Sequence, residues 1–260
     1  MKRSFLPYRF LRHLLPNSLK HRLRTFRWLQ RVDEIVWELS GPLSGYRMKG
    51  PGVFGTYLEK PYEPMVAQAL CRLIQPGWVC VDVGAHLGYF TLLLAHLVGE
   101  EGHIFAFEAH PENFRWLQEN IALNGLTARV TVENLAVSDG SQTFVYLNAP
   151  AYYTTEWSIV RASPVHRSLE VQAIALDQYF AKGLHVNFIK MDIEGAEYLA
   201  LQGMRRLLQR DRPICLIELH GKEGQLAAQF LNKNKYTVMD LEGQSVVGPV
   251  FPSHILAWPG

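Results

Sequence analysis

The stretch from Cys80 to Val98 constrains this chain more than any other. An apolar, β-branched run, Cys80-Val81-Asp82-Val83, meets the turn Gly84-Ala85-His86-Leu87-Gly88 and passes into an apolar segment of helical period, Tyr89 to Val98. A strand that enters a helix through glycines gains backbone freedom at Gly84 and Gly88. It also lets main chain approach a ligand closely at the carboxyl edge of a sheet. The spacing is G-x-x-x-G. A dinucleotide fingerprint needs three glycines, G-x-G-x-x-G, to seat a pyrophosphate against the helix, so an NAD-dependent oxidoreductase is the weaker alternative. A purely structural turn is the plain reading of the glycines alone.

From residue 78 onward, strand-like runs alternate with segments of helical period, which predicts an α/β fold with a mostly parallel central sheet flanked by helices. Strands are expected at 79–83, 103–107, 129–137, 169–176, 186–191 and 213–219, with 236–241 and 254–258 closing the sheet. Residues 143–147 extend the sheet or form a hairpin. Helices are expected at 89–98, from Pro111 to Asn124-Gly125, at 195–208 and at 224–231. Residues 148–168 show no period and are long enough for a lid or binding loop. Tyr152, Tyr153 and Trp157 within them suit either the apolar face of an acceptor or ordinary burial.

Charge divides the chain. Residues 1–31 hold nine of the 26 Lys and Arg and none of the 24 Asp and Glu, so the remainder carries 17 against 24, or −7. With 48% hydrophobic residues over 260 positions the body supports a substantial core, which excludes disorder throughout. The basic arm interleaves Arg9, Arg12, Lys20, Arg22, Arg24, Arg27 and Arg31 with Phe10, Leu14, Leu15, Leu23 and Trp28. Such an arm suits an anionic lipid surface, a partner, or packing on the acidic body, the last being favoured. It lacks a continuous apolar signal region, and no uncharged apolar stretch reaches spanning length. Cys71, Cys80 and Cys215 form no C-x-x-C pair and point to a reducing compartment. The expected location is therefore cytoplasmic, with the arm allowing peripheral contact at the inner membrane surface.

Further chemistry gathers at the expected strand ends. Glu108 falls 20 residues after Gly88, where a carboxylate can accept hydrogen bonds from both hydroxyls of a ribose or simply favour a helix N-terminus. Asp192, Glu194 and Glu197 crowd six positions, and three acids there can hold a metal, grip a hydroxyl, bind an ammonium or stabilise a helix start. Lys190 is placed to pair with one of them. His220 follows Glu218 at the next strand end, where a histidine acts as a base or as a structural hydrogen-bonder. No H-x-x-x-H or paired-cysteine pattern supports a structural metal, and the sequence does not count the ligands of a magnesium-type site including Asp192.

In this order the motifs resemble the class I S-adenosylmethionine-dependent methyltransferases, and most closely the FkbM family. The resemblance runs over about residues 56–220, through Tyr62-Glu63-Pro64, the glycine turn and Phe107-Glu108-Ala109-His110-Pro111. It continues through Asn120-Ile121-Ala122-Leu123-Asn124-Gly125, Asn134-Leu135-Ala136-Val137-Ser138 and Leu176-Asp177 to Ile189-Lys190-Met191-Asp192-Ile193-Glu194-Gly195-Ala196-Glu197 and Ile217-Glu218-Leu219-His220. It implies a Rossmann-like methyltransferase domain over residues 56–260, with residues 1–55 a basic, helical N-terminal extension. S-adenosylmethionine is the implied cofactor, held by Glu63, Asp82, Gly84, Ala85, His86, Gly88, Glu108, Asn134, Ala136 and Asp192. His86 stands where relatives usually carry asparagine, and Ala109-His110-Pro111 where they carry Pro-Asn-Pro. The implied reaction is methyl transfer to a hydroxyl of a glycan or secondary metabolite, with His220 as first base and Asp192 as second. The expected partners are such an acceptor and no nucleic acid. A cofactor-binding scaffold without turnover is the third reading.

Overall fold

A computed structural model describes residues 34–51, 62–149, 159, 167–246 and 252–260. It opens on an antiparallel hairpin, β1 (Glu34–Glu38) and β2 (Arg47–Pro51). Then follow α1 (Pro64–Leu73), β3 (Val79–Val83), α2 (Tyr89–Val98), β4 (His103–Phe107), α3 (Pro111–Leu123) and β5 (Val130–Glu133). Next come β6 (Ala136–Val137), β7 (Phe144–Ala149), β8 (Arg167–Ile174), α4 (Leu176–Tyr179) and β9 (Phe188–Met191). The chain closes with α5 (Glu197–Gln202), α6 (Arg205–Arg210), β10 (Ile214–Glu218), α7 (Gly221–Lys233), β11 (Tyr236–Met239) and β12 (His254–Pro259).

Seven strands form the central sheet in the order β11-β12-β10-β9-β3-β4-β5. Pairings from β10 through β5 are parallel, and β12 is antiparallel to both its neighbours. Alternate strand residues face opposite layers. Phe188 enters one core with Leu92, Leu94, Ile104 and Leu117, while its neighbour Ile189 enters the other with Val81, Phe107, Leu207 and Leu231. Helix α2 is buried along most of its length, which accounts for an apolar sequence with no polar face. The chain leaves β3 towards β4 and β5 and later returns on its other side as β9 and β10. This reversal between β3 and β9 opens a crevice at the carboxyl ends of the strands.

Three expectations change. The strand expected at 129–137 breaks after Glu133, and β6 leaves to pair with β8 in a separate three-stranded sheet, β6-β8-β7. Asn134 fixes the break by donating to the carbonyls of Glu108 and Ala109 at 2.8 and 3.0 Å. The helix expected at 195–208 divides into α5 and α6 around Gly203, where a Cβ would collide with the Ser138 carbonyl. Residues 34–51, expected to be helical within a 1–55 extension, form the hairpin instead. Its Met48, with Leu43 between the strands, is buried in the main core. The arm of residues 1–31 lies outside the described residues. No helix among the described residues is long and apolar enough to cross a membrane.

Asn120 on α3 and Asn124 at its C-terminal cap, one turn apart, hold that hairpin. Asn120 accepts from Lys49 N–H at 2.6 Å and donates to the carbonyls of Lys49 and Leu87 at 2.9 and 2.8 Å. Asn124 makes the matching pair with Arg47 at 2.9 and 2.7 Å. Asn120 is fully buried, so Asn120→Ala strands several polar groups at about 1–3 kcal/mol each. We expect N120A to lower the unfolding free energy in urea by about 2–4 kcal/mol, and N124A, at an exposed site, to cost less. Equal, small effects would show that the hairpin is held by its apolar contacts alone.

Candidate active site

A cavity of about 310 Å³ occupies the crevice, within the range of roughly 300–1,000 Å³ usual for small-ligand sites. One wall is the turn after β3. Gly84 has φ +81°, and a Cβ there would overlap the Asp192 carbonyl oxygen, so only glycine lets the tips of β3 and β9 meet. His86, also at positive φ, lines the cavity. Burial lowers its imidazole to about 4, with help from Lys190, so this ring is neutral at physiological pH.

Glu108 follows β4 and lines the cavity from a buried position. Its two carboxylate oxygens accept the backbone N–H groups of His86 and His110 at 2.7 and 2.8 Å. The Asn113 side chain adds a third hydrogen bond to the carboxylate, and with about four lone-pair sites on its two oxygens it keeps some acceptor capacity for an incoming hydroxyl. Burial raises the carboxyl to about 7, against the pull of those two amides. Leu135, Ala136 and Val137 add an apolar wall beside it.

The opposite wall is acidic. Asp192, Glu194, Glu218 and Glu63 line it at the ends of β9 and β10 and the start of α1. Burial raises Asp192 to about 6, although Lys190 Nζ stands 3.7 Å from it and opposes the shift. Glu218 goes the other way, because His220 and His254 more than offset its burial. Burial opposes both imidazolium charges, yet Glu197 and Glu218 hold His220 up to about 10, and Glu218 and Glu63 hold His254 up to about 9.

The structure brings Glu63, Gly84, Ala85, His86, Glu108, Ala136 and Asp192 to the cavity wall. Asp82, Gly88, Asn134 and His220 are not among the lining residues. Asp82 is fully buried inside β3, accepting from Thr91 Oγ1 at 2.6 Å with Lys190 Nζ 3.9 Å away, one layer behind the wall. Gly88 packs against Leu117, and Asn134 ties the break after β5. His220 caps α7, bound to Glu197 at 2.9 Å. A ring that keeps its proton to about 10 has no lone pair free to act as a base at neutral pH. The sequence reading missed Met48, Leu147, Ile159 and His254. None carries a local signal; His254 reaches the site only because β12 pairs it with Glu218. Tyr152, Tyr153 and Trp157 lie outside the described residues.

A parallel sheet with a glycine turn, a clamped carboxylate at the next strand end and a cavity at the topological switch defines a protein of the Rossmann-like methyltransferase class. The family model of the methyltransferase FkbM domain matches residues 82–238, and the chain belongs to that family. The methyl donor that goes with this membership is S-adenosylmethionine, and the oxidoreductase alternative is withdrawn. The chain is 36% identical over 98 residues to a protein-L-isoaspartate O-methyltransferase of Aeropyrum pernix, covering 38% of this chain and 32% of that relative. It is 30% identical over 92 residues to ribosomal RNA large subunit methyltransferase E of Alkalilimnicola ehrlichii, covering 35% and 39%. The chain thus spans about a third of the length of these relatives. A crystal structure of methyltransferase FkbM from Methylobacillus flagellatus superposes with a TM-score of 0.48 at 18% identity, covering 74% of this chain and 50% of that one. The expectation that nucleic acid is no partner is corrected: similarity to a ribosomal RNA methyltransferase removes the ground for that exclusion.

The raised Glu108 pKa gives a stability signature. A carboxyl at about 7 when folded and near 4.5 when unfolded contributes stability that is complete below pH 4.5 and is lost as pH rises through 7. We expect wild type to lose about 2–3 kcal/mol relative to Glu108→Gln between pH 4.5 and 8 in urea unfolding. Parallel pH profiles for the two proteins would mean that Glu108 titrates normally.

Proposed function

We propose that this chain is an S-adenosylmethionine-dependent O-methyltransferase acting on a hydroxyl of a glycan or secondary metabolite. The observation that carries the reading is one cavity with a two-amide carboxylate clamp at one end and a carboxylate wall at the other. Glu108 accepts both ribose hydroxyls, Leu135 and Ala136 face the adenine, and the Gly84-Ala85 main chain borders the methionine part. Neutral His86 adds no positive charge beside the cofactor's ammonium and sulfonium, while Glu63 and Asp192 offer them anionic partners. Asn134 and Asp82 act indirectly, the first by holding the Glu108-Ala109 carbonyls and the second by balancing Lys190.

When bound, S-adenosylmethionine would supply an electrophilic methyl carbon on a sulfonium, whose sulfur would leave with the C–S electron pair as a neutral thioether. The protein's part is alignment and proton removal. Asp192, on the cavity wall, accepts the hydrogen of the acceptor hydroxyl. Protonated His220 sits behind the wall and, with His254, keeps Glu218 ionised as an acceptor for a neighbouring hydroxyl, which suits a polyhydroxylated substrate. We assign the catalytic unit to residues 56–260 with the 34–51 hairpin packed upon it.

Calorimetry with S-adenosylhomocysteine tests the cofactor reading. Wild type should bind it, and Glu108→Ala should weaken binding about 10–100-fold, the loss of two hydrogen bonds to a charged acceptor at roughly 1.5–3 kcal/mol each, partly compensated by water. Folded protein that binds neither form of the cofactor would sink the proposal. For transfer, methyl incorporation from labelled cofactor is measured across glycoside, phenol, polypeptide and RNA acceptors. Asp192→Asn should lower kcat on the accepted class about 100-fold or more, and incorporation confined to polypeptide or RNA would replace the acceptor class proposed here.

A further inference from the structure

We propose that Asp192, Glu218 and His220 form a binding site for a divalent cation of the manganese type, at the acceptor end of the cavity. The inference rests on the methyltransferase reading and adds the ion that would orient the acceptor hydroxyl.

Three side chains from the ends of adjacent strands β9 and β10 present one ligand atom each, all within 4.8 Å of one another. His220 Nε2 stands 3.5 Å from a Glu218 oxygen, longer than a good hydrogen bond. Two ligands that each bind one ion at about 2.1 Å are separated by roughly 3–3.4 Å, so the His220–Glu218 pair needs little adjustment to take one, and Asp192 closes in from within 4.8 Å. Two oxygens and one imidazole nitrogen suit a first-row divalent ion.

A second, independent feature lies behind the histidine. Glu197 is fully buried, and its Oε1 holds His220 Nδ1 at 2.9 Å while accepting the Gly195 N–H at 2.9 Å. Its other oxygen is buried with no hydrogen-bond partner. A carboxylate on the far nitrogen of an imidazole is the usual support of a metal-binding histidine: it sets the ring orientation and raises ligand basicity. Here it turns Nε2 towards Glu218 and Glu194, both of which line the cavity. The ion would replace the proton that the imidazole otherwise holds, since both need the same lone pair.

His254 supplies the internal control. With Glu63 it forms a second trio that shares Glu218, but among the described residues its Nδ1 meets the hydroxyl of Ser253 at 3.1 Å and no buried carboxylate. We assign the ion to the trio backed by Glu197.

The test titrates Mn2+ into the full chain, with free Mn2+ read by electron paramagnetic resonance. Saturable binding of one ion is expected, weakened at least 10-fold in Glu218→Gln and in His220→Ala, about 10-fold in Glu197→Gln and less than 3-fold in His254→Ala. Circular dichroism confirms that each variant is folded. Absence of saturable binding by wild type, or loss in His254→Ala with retention in His220→Ala, overturns the assignment. Calorimetry with S-adenosylhomocysteine in metal-free buffer separates the two readings. Cofactor binding without Mn2+ binding refutes the ion site and leaves the methyltransferase reading standing, whereas failure of both refutes the two together.

Discussion

The arrangement of the cavity wall depends on one buried cation. Lys190 is only 4% exposed, in the middle of the sheet, with Asp82 and Asp192 carboxylates 3.9 and 3.7 Å from its ammonium and the Phe90 ring beneath it. Burial alone would drive its proton off, but the two carboxylates more than offset that, and its pKa rises. Placing such charges in the interior costs several kcal/mol per ion before pairing. An apolar trio would pack as well and avoid the cost. What the charged arrangement adds is an anion, Asp192, held at the tip of β9 on the cavity wall, with Asp82 and Thr91 anchoring the cation from β3 and α2. The register that sets Asp82 opposite Lys190 is the same one that brings Gly84 against the Asp192 carbonyl. Charge pairing and the missing side chain at position 84 thus fix one juncture from two directions.

How much of this was legible in the sequence follows from whether its cause is local. The alternation of strand and helix after residue 78 is a local pattern, and it located every strand of the central sheet, although the runs at 134–137 and 169–176 went instead to the separate sheet β6-β8-β7. The breaks at Asn134 and Gly203 have distant causes. Asn134 sits in a segment of strand character, but its amide is claimed by the Glu108 and Ala109 carbonyls just beyond the neighbouring strand β4, and Gly203 carries no turn signal until Ser138 is set against it. The 34–51 hairpin was read as helix because basic and apolar residues in the arm suggested helical period. It is held instead by Asn120 and Asn124, more than seventy positions away.

The same distinction sorts the site. Gly84, Glu108 and Asp192 sit at strand ends, where any side chain or turn is near a ligand, so motif order located them. Asp82 belongs to the same motif, but it lies within the strand, and its alternation points it into the layer containing Thr91. Motif membership therefore does not amount to contact. His86, which stands where relatives usually carry asparagine, lines the cavity as a neutral ring because burial strips its charge. Composition could not anticipate that; the neighbouring Lys190 and the closed pocket decide it.

Along the sheet edge the electrostatics are graded. At the β4 end the histidines are neutral: burial lowers both His86 and His110, and Glu108 itself is raised. At the β10 end His220 and His254 are cations, and Glu218 is firmly ionised between them. The difference comes from partners. Glu108 is met by neutral donors, two backbone amides and the Asn113 side chain, whereas Glu218 faces two imidazoles across β10 and β12. A ligand spanning this edge meets hydrogen-bonding and apolar surface first and a dense array of charge last. The two ends of the crevice thus offer different surfaces, neutral rings and a backbone-clamped carboxyl at β4 and paired ions at β10. The acidity of the body, −7 outside the basic arm, is therefore not spread evenly but concentrated in part at the ends of β9 and β10.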